Sequence, residues 1–240
     1  MRFHVGAVNL INRIGKVMSN SKKSSRPFTV IVEGNIGSGK TTFLNHFQRN
    51  SNILVLSEPV EMWRNCGKAN LLGLLYEDPK RWSFTFQSYV LLTMIQQHFL
   101  KTERSIKLME RSIYSVRYCF VDNMQREGLM PAPSVAVLNE QFNWLQSKPE
   151  AKVDLVVYLR TSPEIVYERM LQRNRDEEKT VSIEYLKKLH DVHENWLYYK
   201  NAYSCPAPVL VLDANLDKKT IVKEYIKSEK LILNKLSISI

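Results

Sequence analysis

The sequence predicts an α/β fold in three layers, a central parallel sheet flanked by helices. Two observations carry this: short β-branched, apolar runs recur along the chain between segments of helical spacing, and the first run leads through a glycine-rich loop into a helix. Strands covered on both faces read as continuous apolar runs, which is how sheets sandwiched between helix layers are written.

Phe28 to Glu33 is such a run and reads as a buried strand. The helix after the glycine loop is marked by Phe43, Leu44 and Phe47 at helical spacing. Ile53 to Leu56, Ile106 to Met109, Val153 to Leu159 and Val209 to Leu212 supply the remaining strands. One helix start is clearly signalled, with Ser162 at the N-cap, Pro163 at the first helical position and Glu164 behind it. The longest uncharged stretch, Trp82 to Leu100, reaches the length of a membrane span. It carries Ser83, Thr85, Gln87, Ser88, Thr93, Gln96, Gln97 and His98, however, and so many polar groups are costly in lipid; it reads as a helix buried in protein. At 240 residues with 44% hydrophobic content, residues 27–240 can bury one core as a single domain.

Gly34-Asn35-Ile36-Gly37-Ser38-Gly39-Lys40-Thr41 matches GxxxxGK(S/T) between the strand and helix that this motif requires. Its glycines let backbone N–H groups turn toward phosphate oxygens, Lys40 reaches the outer phosphates, and the Thr41 hydroxyl can ligate Mg²⁺. A triphosphate such as ATP is the expected ligand, but the loop alone does not separate a kinase from an ATPase or GTPase. Glu58 lies just past the second strand, at the sheet edge where open α/β sheets assemble ligands, and suits a base for a hydroxyl acceptor. Glu110 and Arg111 end the third strand, as an acid for Mg²⁺ beside a cation for a carboxylate or phosphate; taken alone, the two read first as a structural ion pair. Gln87, Val90 or Leu91, and Met94 share a helix face, an amide among apolar neighbours that matches a nucleobase edge or simply borders a core. Arg169 and Arg173 are i, i+4, and Arg175 runs into Asp176-Glu177-Glu178; this is a phosphate-closing lid or a solvated surface.

Together, EGNIGSGKTT from Glu33 to Thr42, EPVEMWRN from Glu58, FQSYVLLTM from Phe86, MERSIYSVRYCF from Met109 and YLRTSPEIVYERMLQRNRDEE from Tyr158 resemble the deoxyribonucleoside kinase family. The likeness is strongest toward the branch of the insect multisubstrate enzyme and mitochondrial thymidine kinase, and runs from about Phe28 to Asp213. It implies the P-loop kinase version of the fold, ATP as phosphate donor with Mg²⁺, a deoxyribonucleoside as acceptor, a homodimer, and feedback binding of a deoxynucleoside triphosphate. By resemblance Glu58 is the base for the 5′-hydroxyl, Arg111 its neighbour and Glu110 the magnesium-associated acid. Gln87 pairs with the nucleobase among Trp63, Phe86 and Phe120, Tyr76 and Glu178 hold the sugar 3′-hydroxyl, and Arg169, Arg173 and Arg175 are lid arginines. Thr42 completes the phosphate loop. Val116 stands where the insect relatives carry a smaller alanine; with Val90 and Met94 it resembles the pyrimidine-preferring arrangement, thymidine and deoxycytidine ahead of deoxyguanosine.

The formal charge of +10 is unevenly placed. Six basic residues precede Glu33, the first acid, and without residues 1–26 the balance is 28 basic to 24 acidic residues, which gives no pull toward nucleic acid. Residues 1–26 are acid-free, with spaced Arg and Lys among apolar residues, and fit a mitochondrial transit peptide; a disordered basic tail on a cytoplasmic enzyme is the alternative. Cys66, Cys119 and Cys205 form no CxxC pair and are expected to be reduced thiols. The rival functions are a thymidylate-type monophosphate kinase, whose charged acceptor Glu58 would repel, and a non-catalytic nucleotide-binding subunit.

Overall fold

The computed structural model describes residues 26–237, so that the basic leader expected at 1–26 lies outside them except for Arg26. Five strands, β1 (Phe28–Glu33), β2 (Ile53–Leu56), β3 (Ile106–Glu110), β4 (Leu155–Arg160) and β5 (Val209–Asp213), form one sheet in the order β2-β3-β1-β4-β5. Every neighbouring pair is parallel. The sheet order reverses about β1, so the ends of β1, β2 and β3 open onto one crevice, the place where such sheets bind ligands.

Side-chain alternation splits the core into two faces. Ile31, Met109, Val156 and Tyr158 point to one side, under α3 (Leu71–Glu77) and α4 (Pro79–Phe99). Val30, Val32, Leu108 and Val157 point to the other, against Phe43 and Phe47 of α1 (Lys40–Phe47). Both faces are covered, which is why the strands read as unbroken apolar runs. Between α1 and α3, the short α2 (Val60–Arg64) follows β2.

After β3 the chain runs through α5 (Ile113–Ser115), a π-helical stretch at Val116–Val121 and α6 (Asp122–Arg126), then α7 (Ala132–Gln146). Beyond β4 come α8 (Pro163–Arg173), a 3₁₀ turn at Asp176–Thr180, α9 (Ile183–His193) with a π-helical extension at Glu194–Tyr198, and finally α10 (Lys218–Ser237). The last helix closes the second face, where Tyr225 meets Phe43 edge-on at 5.0 Å.

Two element starts differ from the sequence expectation, each for a polar reason. β4 begins at Leu155 instead of Val153 because the Asp154 carboxylate turns back to accept from the Thr29 N–H at 2.8 Å and from Arg26 at 2.7 Å. Arg26 is thereby tied to the folded body. The helix expected from Trp82 begins at Pro79, capped by Asp78, whose side chain accepts from the Arg81 N–H. Ser162 does occupy the N-cap of α8, but its side chain makes no cap bond; its own N–H donates to Asn215 Oδ1 at 2.8 Å. Among the described residues no helix is long and apolar enough to cross a membrane, and all three cysteines are free.

Candidate active site

The glycine loop leaves β1 with Gly34, Gly37 and Gly39 all at positive φ. Two of them admit no side chain: a Cβ on Gly34 would lie 2.7 Å from the Leu159 carbonyl, and one on Gly37 would lie 2.7 Å from that of Val166. Asn35 braces the loop from behind, its amide donating to the Leu186 carbonyl of α9 and accepting from the Ile36 N–H, each at 2.8 Å. The buried Ser38 hydroxyl has no hydrogen-bond partner among the described residues. Lys40 starts α1 and folds back under the loop, donating to the carbonyls of Gly34 at 3.2 Å and Asn35 at 2.8 Å. Burial, helped by the nearby Arg111 cation, lowers its pKa to about 8 against the pull of Glu58, Glu110 and Glu33.

The ends of β2 and β3 bring two carboxylates to the same place. The Thr41 hydroxyl donates to Glu110 at 2.9 Å, joining the two residues predicted to hold a metal. Glu110 is pushed up by burial and by the Glu58 charge, an effect that Lys40 and Thr41 partly offset. Glu58 pairs with Arg111 Nε at 2.8 Å, and the Arg111 guanidinium lies 4.8 Å over the Phe120 ring. Arg111 stands in the left-handed region, φ 60°, held there as its N–H donates to the Val32 carbonyl of β1. Burial opposes its charge, but Glu58 and Glu33 outweigh it and hold the guanidinium protonated.

Glu33 was not among the predicted site residues. It is fully buried at the end of β1 and accepts from Ser112 Oγ at 2.7 Å, linking the phosphate loop to the Glu110-Arg111 turn. Burial raises its pKa to about 7 even with Arg111, Ser112 and Ser115 beside it. A sequence signal existed: an acid closes an otherwise apolar strand.

A cavity of about 370 Å³ opens from these groups between α2, α3, α4 and the π-helical stretch. Lys40, Thr41, Glu58, Glu110 and Arg111 line its polar end, and Trp63, Phe86, Gln87, Val90, Met94, Val116 and Phe120 its far end. Val116 and Phe120, four residues apart on the π-helical stretch, fall on one side of it. Gln87 is 2% exposed; its Nε2 donates only to the Met124 sulfur at 3.7 Å and its Oε1 has no partner among the described residues. Leaving such an amide unpaired costs about 1–3 kcal/mol, a deficit that a ligand with matching groups would remove. The Trp63 indole donates to Thr93 at 3.0 Å and is fixed edge-on to Phe86.

Tyr76 and Glu178 both line the cavity, joined by Tyr185, for which the sequence held no signal. Burial pushes up both phenols, that of Tyr185 to about 12. Of the three arginines expected in a lid, Arg173 and Arg175 line the cavity and both pair with Glu178. Arg169 does not line it; its charge acts instead on the Tyr225 hydroxyl, behind the phosphate loop. One helical turn separates Arg169 from Arg173, enough to carry it past the rim. Thr42 is exposed and lies outside the cavity wall.

Residues 30–236 match the deoxynucleoside kinase family profile. Human mitochondrial thymidine kinase 2 is 44% identical over 218 residues, covering 91% of this chain and 81% of that protein. The Macaca fascicularis thymidine kinase 2 is 43% identical over 88% of this chain and 80% of its own. Mouse deoxycytidine kinase is 33% identical, across 91% of this chain and 95% of that one.

Proposed function

The chain belongs to the deoxynucleoside kinase family, and from that membership we propose that it transfers the γ-phosphoryl of ATP to the 5′-hydroxyl of deoxyribonucleosides, thymidine and deoxycytidine ahead of deoxyguanosine. One observation carries the acceptor half of this reading: the Gln87 amide, its oxygen without a partner among the described residues, stands in an apolar slot that runs directly into the Lys40, Glu58 and Arg111 end of the same cavity. An amide side chain offers one donor and one acceptor side, as a nucleobase edge does.

With the base against Gln87 and the sugar between Tyr76 and Glu178, the 5′-hydroxyl points toward Glu58. Glu58 accepts its proton while Arg111 fixes the carboxylate at 2.8 Å. Lys40 leaves the loop carbonyls to meet the outer phosphates, with the loop N–H groups, and Arg173 and Arg175 approach from the lid side. Thr41 and Glu110 suit Mg²⁺: one hydroxyl and one carboxylate 2.9 Å apart are typical of sites where phosphate oxygens complete the shell. When bound, Mg²⁺ neutralises charge on the phosphate oxygens. The slot beside Val116, Val90 and Met94 favours the smaller pyrimidine ring.

Relatives named as mitochondrial and a leader of transit-peptide composition together support a mitochondrial address. A homodimer is supported by an apolar groove between α4 and α7, and feedback binding by a deoxynucleoside triphosphate by the continuity of base slot and phosphate loop.

The test is an acceptor panel at fixed ATP: the four deoxyribonucleosides and thymidine monophosphate. Thymidine and deoxycytidine are expected to lead, with the monophosphate inert; deoxyguanosine matching thymidine would refute the preference. Glu58→Gln in the same assay is expected to lower kcat by about 10² to 10⁴, the usual worth of general-base help, with thymidine KM nearly unchanged. Near-wild-type turnover would remove Glu58 from that role.

A further inference from the structure

Neighbouring glutamates on the 3₁₀ turn at Asp176–Thr180 are pulled in opposite directions. Glu178 goes to the lid side, where Arg173 Nη2 donates to both of its oxygens at 2.6 Å. Glu177 goes to the acceptor wall. Arg64, the last residue of α2, grips it with two parallel bonds, Nε to Oε1 at 2.8 Å and Nη2 to Oε2 at 3.0 Å, while Asn70 Nδ2 adds a third at 3.3 Å. The pair is largely shielded, with side chains 28% and 11% exposed, and neither residue lines the cavity.

The geometry of those partners gives the pair a specific mechanical meaning. Asn70 is the N-cap of α3, its oxygen accepting from the Gly73 N–H at 2.9 Å, and α3 carries Tyr76. Arg64 closes the helix that follows Glu58. The Glu177 carboxylate therefore fastens the turn bearing Glu178 to the element bearing Tyr76. Bidentate arginine–carboxylate pairing fixes orientation as well as distance, which a single lysine contact would not. The arginine holds the Glu177 acid down to about 2, so the grip persists across the neutral range.

We propose that the Arg64–Glu177 pair is a positioning latch that holds Glu178 opposite Tyr76 and so sets how strongly the enzyme depends on a nucleoside 3′-hydroxyl. This rests on the reading that Tyr76 and Glu178 take that hydroxyl. Without the latch, the turn follows the Arg173 pull toward the lid helix and the two halves of the sugar site part. Nucleosides lacking the hydroxyl have nothing to lose from that separation.

The experiment compares thymidine with 3′-deoxythymidine at saturating ATP in the full chain, for wild type, Arg64→Gln, Glu177→Gln, the exchange Arg64→Glu/Glu177→Arg, and Glu178→Gln, with melting curves for each. Both single latch variants are expected to reduce the preference for thymidine about tenfold, the scale of one charge-assisted contact. The loss is expected in thymidine KM, while the constants for 3′-deoxythymidine stay within about twofold. The exchange is expected to recover most of the preference. Latch variants that keep the wild-type preference while Glu178→Gln loses it would overturn the latch and leave the 3′-hydroxyl reading standing. Glu178→Gln with the preference intact would overturn the reading, and the latch with it. Equal losses for both nucleosides would show a merely structural pair and overturn the proposal. Should the single variants fail to fold, the exchange decides: wild-type preference supports the latch, and its loss sinks it.

Discussion

Val116 is buried against the far, apolar end of the cavity, 3% exposed, with Gln87 and Met94 as fellow lining residues. Shape and hydrogen bonding are thus divided between different side chains in the proposed reading: Gln87 reads the edge of the base, and Val116 limits its size. Trimming Val116 to alanine removes two methyl groups, and pocket contacts of this size are worth about 10-fold or more in discrimination. Val116→Ala is expected to raise the kcat/KM of deoxyguanosine relative to thymidine about tenfold; an unchanged ratio would take Val116 out of the specificity account. Lys40, Thr41, Glu58, Glu110 and Arg111 were legible as individual residues because each sits at a fixed offset from a strand end. Tyr185 was not, since one tyrosine on a helix looks the same whether it faces a core or a ligand.

Among the elements, β1 has the most demanding chemistry at its end. Glu33 is buried there with one oxygen on Ser112 and the other unpaired among the described residues. Burial raises its pKa from 4.5 to about 7, so the folded protein holds a proton that the unfolded chain has released over that interval. The corresponding stability is fully present below about pH 4.5 and is lost as pH rises through about 7, an amount on the order of 3 kcal/mol. His193, lowered to about 3 by burial and Arg111, works in the opposite sense below its ordinary 6.5, in wild type and variant alike. Glu33→Gln keeps an acceptor for Ser112 and cannot ionise. Denaturant unfolding at pH 5 and pH 8 is therefore expected to show the variant gaining on wild type by that order at the higher pH; parallel curves would mean that Glu33 titrates normally. The strands were readable from their apolar runs, but the start of β4 was not, because Asp154 is claimed by Arg26 and Thr29, residues more than 120 positions away in sequence.

At the scale of the whole molecule, the sheet and its helices leave an apolar face uncovered beside α4 and α7. Leu92 on α4 and Val137 and Trp144 on α7 are 48%, 47% and 58% exposed, beside a groove lined by Leu91, Ile95 and Leu145. Leu92 and Trp144 share the wall of that groove. A second copy of the chain is the proposed occupant, as such patches on soluble proteins mark interaction sites. Leu92→Glu with Trp144→Glu is expected to convert a dimer to a monomer in sedimentation at micromolar concentration. A wild-type protein that sediments as a monomer would refute the homodimer.

The sequence by itself determined the α/β class, the phosphate loop and the strand-end carboxylates, because glycine torsions, strand burial and motif offsets are local demands that each stretch of chain must meet alone. Only the tertiary structure decided which groups share the cavity. It left Arg169 behind the phosphate loop, brought Glu33 to Ser112, and set Arg64 on Glu177, since these contacts join segments distant in sequence and depend on how helices seat on the sheet. Side-chain chemistry is written residue by residue, whereas the partner that each charge finds is fixed by packing.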